Sequence, residues 1–222
     1  MRADYFVVGT DTGIGKTHAT CALLHALAAR HARVCGMKPI ASGGVHAADG
    51  FTNEDSIAHR AASTVRVPPE LDNPILLPEP LSPHLSAARA GTPISFDVIL
   101  RAVDELRART DALVVEGAGG FLVPLSDTQS GADLAVALQM PLVLVVGMRL
   151  GCLNHALLTA AAIRARGLVL AGWIANRIDP DFLCPEENLD YLRGHLGAPL
   201  WADLPFSSTP DARADAGRFT LP

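Results

Sequence analysis

Short aliphatic runs alternate with longer amphipathic stretches along this chain. The aliphatic runs predict strands at 5–8, 33–37, 111–116, 142–146 and 168–175, and the amphipathic stretches predict helices at 16–30, 54–62, 96–109, 128–139, 154–166 and 186–196. Continuous apolar strands are typical of a parallel sheet whose two faces are both covered by helices. We therefore predict an α/β fold with a mostly parallel central sheet, formed as one domain over residues 1–222.

Two segments interrupt this alternation. Residues 41–53 are rich in Gly, Ser, His and Asp and predict a loop before the helix at 54–62. Residues 65–84 hold prolines at 68, 69, 74, 78, 80 and 83, a density that favours neither helix nor strand. We expect an irregular excursion there.

Composition narrows the possible functions. The 222 residues are 49% apolar with a formal net charge of -5, which argues against a surface that binds nucleic acid. The longest apolar runs, 141–148 and 167–175, are too short to span a membrane. Four scattered cysteines without a CxxC pair fit a reducing compartment, and the first residues lead straight into a strand rather than a signal peptide. We expect a cytoplasmic protein.

A glycine-rich segment provides the strongest local signal. The residues after the first strand read GTDTGIGKT, from Gly9 to Thr17, and they open the first predicted helix. Glycines allow backbone N–H groups to surround a phosphate, and the helix N-terminus adds its dipole. Lys16 is expected at the β- and γ-phosphates of a nucleotide and the Thr17 hydroxyl at Mg²⁺. The alternative is an ordinary turn between a strand and a helix.

Lysine is scarce in this chain, because only Lys16 and Lys38 are lysines among 18 basic residues. Lys38 follows the second predicted strand, so parallel strands would bring it to the same sheet edge as the glycine-rich loop. A second lysine there could stabilise charge on a phosphoryl group in transfer. A surface lysine at a strand end is the alternative.

Two acidic residues and one helix start are further candidates. Glu116 ends an apolar strand and could hold Mg²⁺, unless it is a solvated strand-end residue. Asp55 could be a second metal carboxylate, or only the N-cap or a first-turn acid of its helix. The segment from Gly151 through Cys152 to Asn154 opens a helix whose free N–H groups could bind a carboxylate, or it is a plain helix start. Cys152 has no partnered base, and the scattered histidines show no metal-ligand spacing.

Together these motifs resemble the dethiobiotin synthetase family over nearly the whole chain. The segments that carry the resemblance are YFVVGTDTGIGKT, GMKPIASG, NEDS, SPHLSA, VVEGAGGFLVPLSD, LVVGMRLGCLNHALLT and AGWIAN. The resemblance implies an ATP- and Mg²⁺-dependent ligase that carboxylates 7,8-diaminopelargonic acid with CO₂. The resulting carbamate attacks the ATP γ-phosphate, and the second amine closes the ring to give dethiobiotin, ADP and phosphate.

The resemblance also implies roles for individual residues. Lys16 and Lys38 would be catalytic, and Thr17, Asp55 and Glu116 would organise Mg²⁺. Thr12, Lys38, Ser42 and the helix start at Gly151, Cys152 and Asn154 would bind the substrate. The ATP-binding residues would be Gly13, Ile14, Gly15, Lys16, Thr17, Asp55, Glu116, Gly117, Ala118, Gly119, Asn176, Arg177, Pro205, Phe206 and Ser207.

The family is homodimeric, which implies a substrate site at the subunit interface with the Gly151–Asn154 helix start supplied by the partner. One position departs from the family's pattern. Relatives can carry a Tyr near the substrate's distal carboxylate where this chain has Asn188, and Tyr191 lies one turn later. How the substrate tail would be held is therefore left open.

Two alternative functions remain. A related phosphate-loop amide ligase would usually carry a glutaminase domain, for which 222 residues leave no room. A partitioning or cell-division switch ATPase normally has a lysine near the start of its loop, in the form KGGxGKT. This chain has Thr10-Asp11-Thr12-Gly13 there, and its C-terminal residues form no basic amphipathic helix.

Overall fold

The computed structural model describes residues 2–47 and 50–222 of the chain. In these residues the strands are β1 (Ala3–Gly9), β2 (Val34–Met37), β3 (Ile40–Ser42), β4 (Val45–Ala47), β5 (Gly50–Thr52), β6 (Ile75–Leu77), β7 (Ala112–Glu116), β8 (Leu142–Met148), β9 (Leu170–Arg177) and β10 (Leu200–Leu204). The helices are α1 (Lys16–Ala28), α2 (Glu54–Ala62), α3 (Pro69–Asp72), α4 (Pro83–Ala90), α5 (Phe96–Arg109), α6 (Gly131–Leu138), α7 (Cys152–Ala165), α8 (Pro185–His195) and α9 (Ala212–Asp215).

The central sheet is parallel throughout. Its strand order is β10-β9-β8-β1-β7-β2, and each neighbouring pair runs in the same direction. All six strands therefore end at one edge, where ligands of such sheets bind. The predicted α/β class with a parallel sheet is confirmed.

Side chains of successive strand residues enter cores on opposite faces of the sheet, as the period of a strand requires. Phe6 and Val8 of β1 pack in the larger core with residues of α5, α6, α7 and α8. Val7 packs on the other face with residues of α1. Because both faces are covered, β7 and β8 are buried along their whole length.

The expectation of an irregular excursion over 65–84 is wrong in part. Residues 69–72 form α3 and residues 75–77 form β6, which pairs with β3 in a small parallel sheet. Pro69 and Pro83 each stand at the first turn of a helix, where the missing N–H costs no hydrogen bond. Pro74 and Pro78 flank β6 without interrupting it. The prolines therefore mark the ends of short elements.

The predicted loop at 41–53 is also more ordered than expected. Its first residues complete β3, and β4 and β5 form a short antiparallel hairpin before α2. Ala48 and Asp49, which belong to that prediction, lie outside the described residues. The sequence patterns predicted none of β10, α4 and α9, whereas α2 and α5 have the predicted bounds.

Among residues 2–47 and 50–222, no helix is both long and apolar enough to cross a membrane.

Candidate active site

The phosphate loop connects β1 to α1. Gly13 and Gly15 adopt left-handed backbone angles, with φ of 72° and 76°, which only glycine accepts without strain. A Cβ at Gly15 would collide with the side chain of Asn176. Asn176 in turn donates a hydrogen bond to the Ile14 carbonyl at 2.8 Å. The loop therefore depends on glycine and is braced from the end of β9.

Lys16 begins α1 and is buried. Its Nζ donates to the Asp11 carbonyl at 2.7 Å, so the side chain lies across the loop. Burial lowers the pKa of Lys16 to about 8, against the attraction of Glu116. The ammonium is still mostly charged at neutral pH, and negative phosphates would favour its charged form.

Lys38 lies directly after β2 and connects two carboxylates. Its buried Nζ is 2.6 Å from Glu116 Oε1 and 2.8 Å from Asp55 Oδ2. Burial alone would lower the pKa of Lys38, but the charges of Glu116 and Asp55 and hydrogen bonds to both raise it. The lysine is therefore held as an ammonium ion at the sheet edge, and it is not a surface residue.

Glu116 is fully buried at the end of β7, so the solvated alternative is excluded. Its Oε1 contacts Lys38, and its Oε2 lies 2.8 Å from His59 Nε2. Burial alone would raise the pKa of Glu116, but Lys38 and His59 hold it well below its usual range. Glu116 is therefore a buried carboxylate ion at neutral pH.

The three predicted metal ligands meet at one point. The Thr17 hydroxyl is 2.8 Å from Asp55 Oδ1 and 3.1 Å from Glu116 Oε1. Asn53 is the N-cap of α2 and accepts a hydrogen bond from the Asp55 N–H, so Asp55 is not the N-cap but lies in the first turn of the helix. In the part of the chain that the structure describes, no group of three or more His, Cys, Asp or Glu could hold a metal. An oxygen-only set of one hydroxyl and two carboxylates fits a hard cation that takes its remaining ligands from phosphate and water.

A cleft of about 620 Å³ opens beside these residues. Thr12, Lys38, Ser42 and Asp55 line it, together with Ala118 and Gly119 after β7. The Ser42 hydroxyl oxygen is buried and has no hydrogen-bond partner among residues 2–47 and 50–222. A buried hydroxyl without a partner is costly, and this one belongs to a residue that lines the cleft. The volume suits a small molecule.

The residues predicted to bind the nucleotide base gather at the neighbouring strand ends. Asn176 is the register partner of Leu204, so the exposed loop of Pro205, Phe206 and Ser207 starts beside it. Arg177 is not free, because it forms ion pairs of 2.7 Å with Asp203 and with Glu186. These residues share one edge of the sheet with the phosphate loop.

The predicted carboxylate-binding helix start lies apart from the cleft. Gly151 has a left-handed φ of 94° and precedes α7, which begins at Cys152, two residues before the predicted start. Gly151, Cys152 and Asn154 are absent from the residues that line the cleft of their own chain, as far as the structure describes it. Arg149 ties this segment to the phosphate loop through a 2.7 Å ion pair with Asp11. Asn188 donates to the Cys184 carbonyl, and Tyr191 stacks on His195.

Two features of the site were missed in the sequence. His59 is buried against Glu116, and the signal was its spacing of four residues from Asp55, which places both side chains on one face of α2. The second feature is the part of the cleft lining formed by Pro80, Leu81, Ser82 and Pro83. The proline-rich segment therefore contributes to the site, although its sequence suggested only irregular structure.

The parallel sheet, the glycine-rich loop before α1, Lys16 at the start of that helix and Lys38 after β2 define a phosphate-loop nucleotide-binding protein. Residues 3–213 match a family described as "AAA domain". The chain is 50% identical to the ATP-dependent dethiobiotin synthetase of Xanthomonas axonopodis over 218 residues. That alignment covers 98% of this chain and 97% of the relative. The corresponding protein of Ralstonia nicotianae is 53% identical over 221 residues, or 100% of this chain and 96% of that one. The chain belongs to the dethiobiotin synthetase family, and it is an ATP-dependent ligase of biotin biosynthesis.

Solved structures resemble the chain in fold alone. The MinC:MinD cell division complex of Aquifex aeolicus gives a TM-score of 0.58 at 16% identity, covering 93% of this chain and 82% of that one. A ParA family ATPase from Chlorobium tepidum gives 0.56 at 15% identity, covering 94% and 86%. The phosphate-loop fold is thereby confirmed, while the family follows from the sequence relatives.

Proposed function

We propose that this protein closes the ureido ring of dethiobiotin. In this reaction an amine of 7,8-diaminopelargonic acid takes up CO₂ as a carbamate, losing a proton. A carbamate oxygen attacks the γ-phosphorus of ATP and ADP leaves, which gives a carbamic–phosphoric mixed anhydride. The second amine attacks the carbamate carbon, its proton is lost, and phosphate leaves with the carbamate oxygen. The products are dethiobiotin, ADP and phosphate.

One observation carries this proposal: the buried Lys38 ammonium lines a cleft that adjoins the phosphate loop. A carbamate formed in the cleft would meet the γ-phosphate there, and both groups are anions that repel each other. A fixed ammonium ion between them stabilises the charge that passes from carbamate to phosphate. Glu116 and Asp55 hold that ammonium at 2.6 and 2.8 Å, so it is already oriented before substrates bind.

The remaining residues are assigned by their positions around this point. Lys16 and the Gly13–Gly15 backbone bind the phosphates of ATP, with the Gly117–Gly119 turn beside them. Asn176, Arg177 and the loop at 205–207 bind the adenine end. Thr12 and the unpartnered Ser42 hydroxyl bind the diamine or its carbamate, within reach of Lys38.

We propose Mg²⁺ as the metal of this site, bound through the oxygens of Thr17, Asp55 and Glu116. Such an ion, when bound, neutralises charge on the β- and γ-phosphates. All three protein ligands are oxygens, which Mg²⁺ prefers, and the metal would take phosphate and water oxygens for its other positions.

We further propose a homodimer in which the partner's α7 start receives the distal carboxylate of the diamine. The cleft of one chain contains none of its own Gly151, Cys152 or Asn154, as described above, which leaves that end of the site to be completed. Leu150, next to this helix start, is 89% exposed and is therefore accessible to a second chain.

The test follows the carbon atom of bicarbonate into the product. The purified protein is incubated with Mg-ATP, the diamine and ¹³C-bicarbonate, and the product is analysed by mass spectrometry. We expect dethiobiotin that carries the label in its ureido carbonyl, formed only when ATP and diamine are both present. Labelled product formed without ATP, or ATP hydrolysed without labelled product, would contradict the proposal.

A further inference from the structure

His59 is a buried histidine at the site with one polar contact. It is 1% exposed, and its Nε2 lies 2.8 Å from Glu116 Oε2. Its Nδ1 is also buried and has no hydrogen-bond partner within residues 2–47 and 50–222. Because the partner is a carboxylate, Nε2 carries the proton and donates it. The hydrogen bond to Glu116 is therefore the one polar interaction of the imidazole ring that the structure describes.

The neighbouring strand makes room for this ring. A Cβ on Gly36 of β2 would approach the His59 Cβ to 3.0 Å and its Cγ to 3.3 Å, so any larger residue would press on the imidazole. The absence of a side chain at Gly36 lets α2 pack closely against β2. Packing therefore fixes the ring, and the ring in turn can fix the carboxylate.

The two oxygens of Glu116 have separate partners. Oε1 contacts Lys38 at 2.6 Å and the Thr17 hydroxyl at 3.1 Å, whereas Oε2 contacts only His59 among the bonds that the structure describes. The terminal torsion of a glutamate is broad, so a carboxylate held at one oxygen alone can rotate. A donor at Oε2 removes that freedom and keeps Oε1 directed at Thr17 and Lys38.

We propose that His59 is a positioning residue, which orients the Glu116 carboxylate so that Oε1 is presented to the metal and to Lys38. The inference deepens the proposed function and rests on its metal site. His59 touches neither substrate nor metal; it acts through Glu116. Loss of a partner that orients a metal ligand typically weakens metal affinity by about 10–100-fold.

The test compares metal binding in His59→Leu and His59→Gln. Leucine fills the space without donating a hydrogen bond, while the glutamine amide can donate to Oε2. Mn²⁺ binding to the protein–ADP complex is measured by electron paramagnetic resonance, and ADP binding is measured separately in EDTA. We expect His59→Leu to weaken Mn²⁺ binding by about tenfold or more and His59→Gln to recover most of that loss. Binding of ADP in EDTA should be unchanged, because His59 does not contact the phosphate loop.

Ala62→Gly is the matched control, because it removes a buried methyl group at the end of the same helix and leaves Glu116 and its partners in place. It should lower the melting temperature and leave Mn²⁺ affinity unchanged. If His59→Leu behaves like Ala62→Gly, His59 is only structural and the inference is overturned. Should the leucine variant fail to fold, His59→Met provides a second side chain that cannot donate.

Glu116→Gln separates this inference from the proposed function. If Glu116→Gln binds Mn²⁺ as the unmodified protein does, Glu116 is no metal ligand, and the proposed metal site and the role of His59 both fail. If Glu116→Gln weakens Mn²⁺ binding and His59→Leu does not, only the role of His59 is refuted. Weakening in both variants, with recovery in His59→Gln, supports the inference.

Discussion

Replacing Lys38 by methionine removes a buried charge while keeping a side chain of similar length. In the native protein the ammonium lies between Glu116 and Asp55, and Glu116 is completely buried. Lys38→Met leaves that carboxylate without its cation. Removing one partner of a buried ion pair costs about 3–5 kcal/mol, because the remaining charge is uncompensated. For a chain of this length, each kcal/mol lowers the melting temperature by about 2–4 °C.

The turnover of Lys38→Met should fall by more than its loss of folded protein accounts for. Loss of one preorganised charge at the transferring phosphoryl group costs about 10²–10³-fold in kcat. Lys38→Arg keeps the charge but replaces a compact ammonium by a broad planar group, so turnover should fall there as well. Both variants should still bind ATP, since Lys16 and the loop backbone hold the phosphates.

The pH dependence of stability identifies the cause. The pKa of Glu116 is held below its unfolded value, so the stability that it contributes is present above about pH 4.3 and is lost as pH falls through the folded value. In Lys38→Met that pKa rises, and the carboxyl accepts a proton more readily. The difference in unfolding free energy should therefore be largest near pH 7 and shrink towards pH 4, in urea melts with EDTA present.

Arg33→Met is the matched control, since it removes a cation paired with Asp111 at the opposite edge of the sheet. That pair lies at the surface, where solvent screens its charges, so its loss should change stability little. The double variant Lys38→Met/Glu116→Gln removes both buried charges and should recover most of the stability but none of the turnover. The reasoning is refuted if Lys38→Met is as stable as Arg33→Met at pH 7, or if the double variant is no more stable than Lys38→Met alone.

Three further results are expected. Lys16→Ala should weaken ADP binding in EDTA, and in the native protein that binding should weaken above pH 8, because the pKa of Lys16 is about 8; a flat pH profile measured by calorimetry would disprove the link. EDTA should abolish turnover and Mg²⁺ should restore it, whereas Glu116→Gln should require far more Mg²⁺; equal Mg²⁺ titrations of both proteins would remove Glu116 from the metal site. Iodoacetamide at pH 8 should modify the exposed Cys184 in the folded protein. Peptide mapping should show no modification of the three cysteines that are buried and have raised pKa values, Cys21, Cys35 and Cys152.

The sheet and the phosphate loop could be predicted because their signals are local. Residues 112–115 and 142–146 are aliphatic along their whole length, and the loop glycines stand directly between a strand and a helix. Short elements were not predictable in the same way. Strand β6 has three residues and is held by pairing with β3, about 35 positions away in the chain, which no local pattern announces.

The sequence predicted several residues of the candidate site but not the contacts between them. The sequence suggested that Lys38, Asp55 and Glu116 share one sheet edge, yet spacing alone left each with an ordinary alternative. Burial excludes the surface alternatives for Lys38 and Glu116, because a charge deep in the protein persists only with a partner. His59 was missed because its role depends on α2 packing against Gly36, a tertiary contact that a single sequence does not reveal.

The most direct test of the proposed function is phosphate release measured with each substrate omitted in turn. With Mg-ATP, bicarbonate and the diamine together, we expect steady release of one phosphate for each dethiobiotin formed. Omission of the diamine should reduce release to a small residual rate, because no carbamate is then available to attack the γ-phosphate. Release of phosphate from ATP alone at the full rate, unchanged when the diamine is added, would contradict the account.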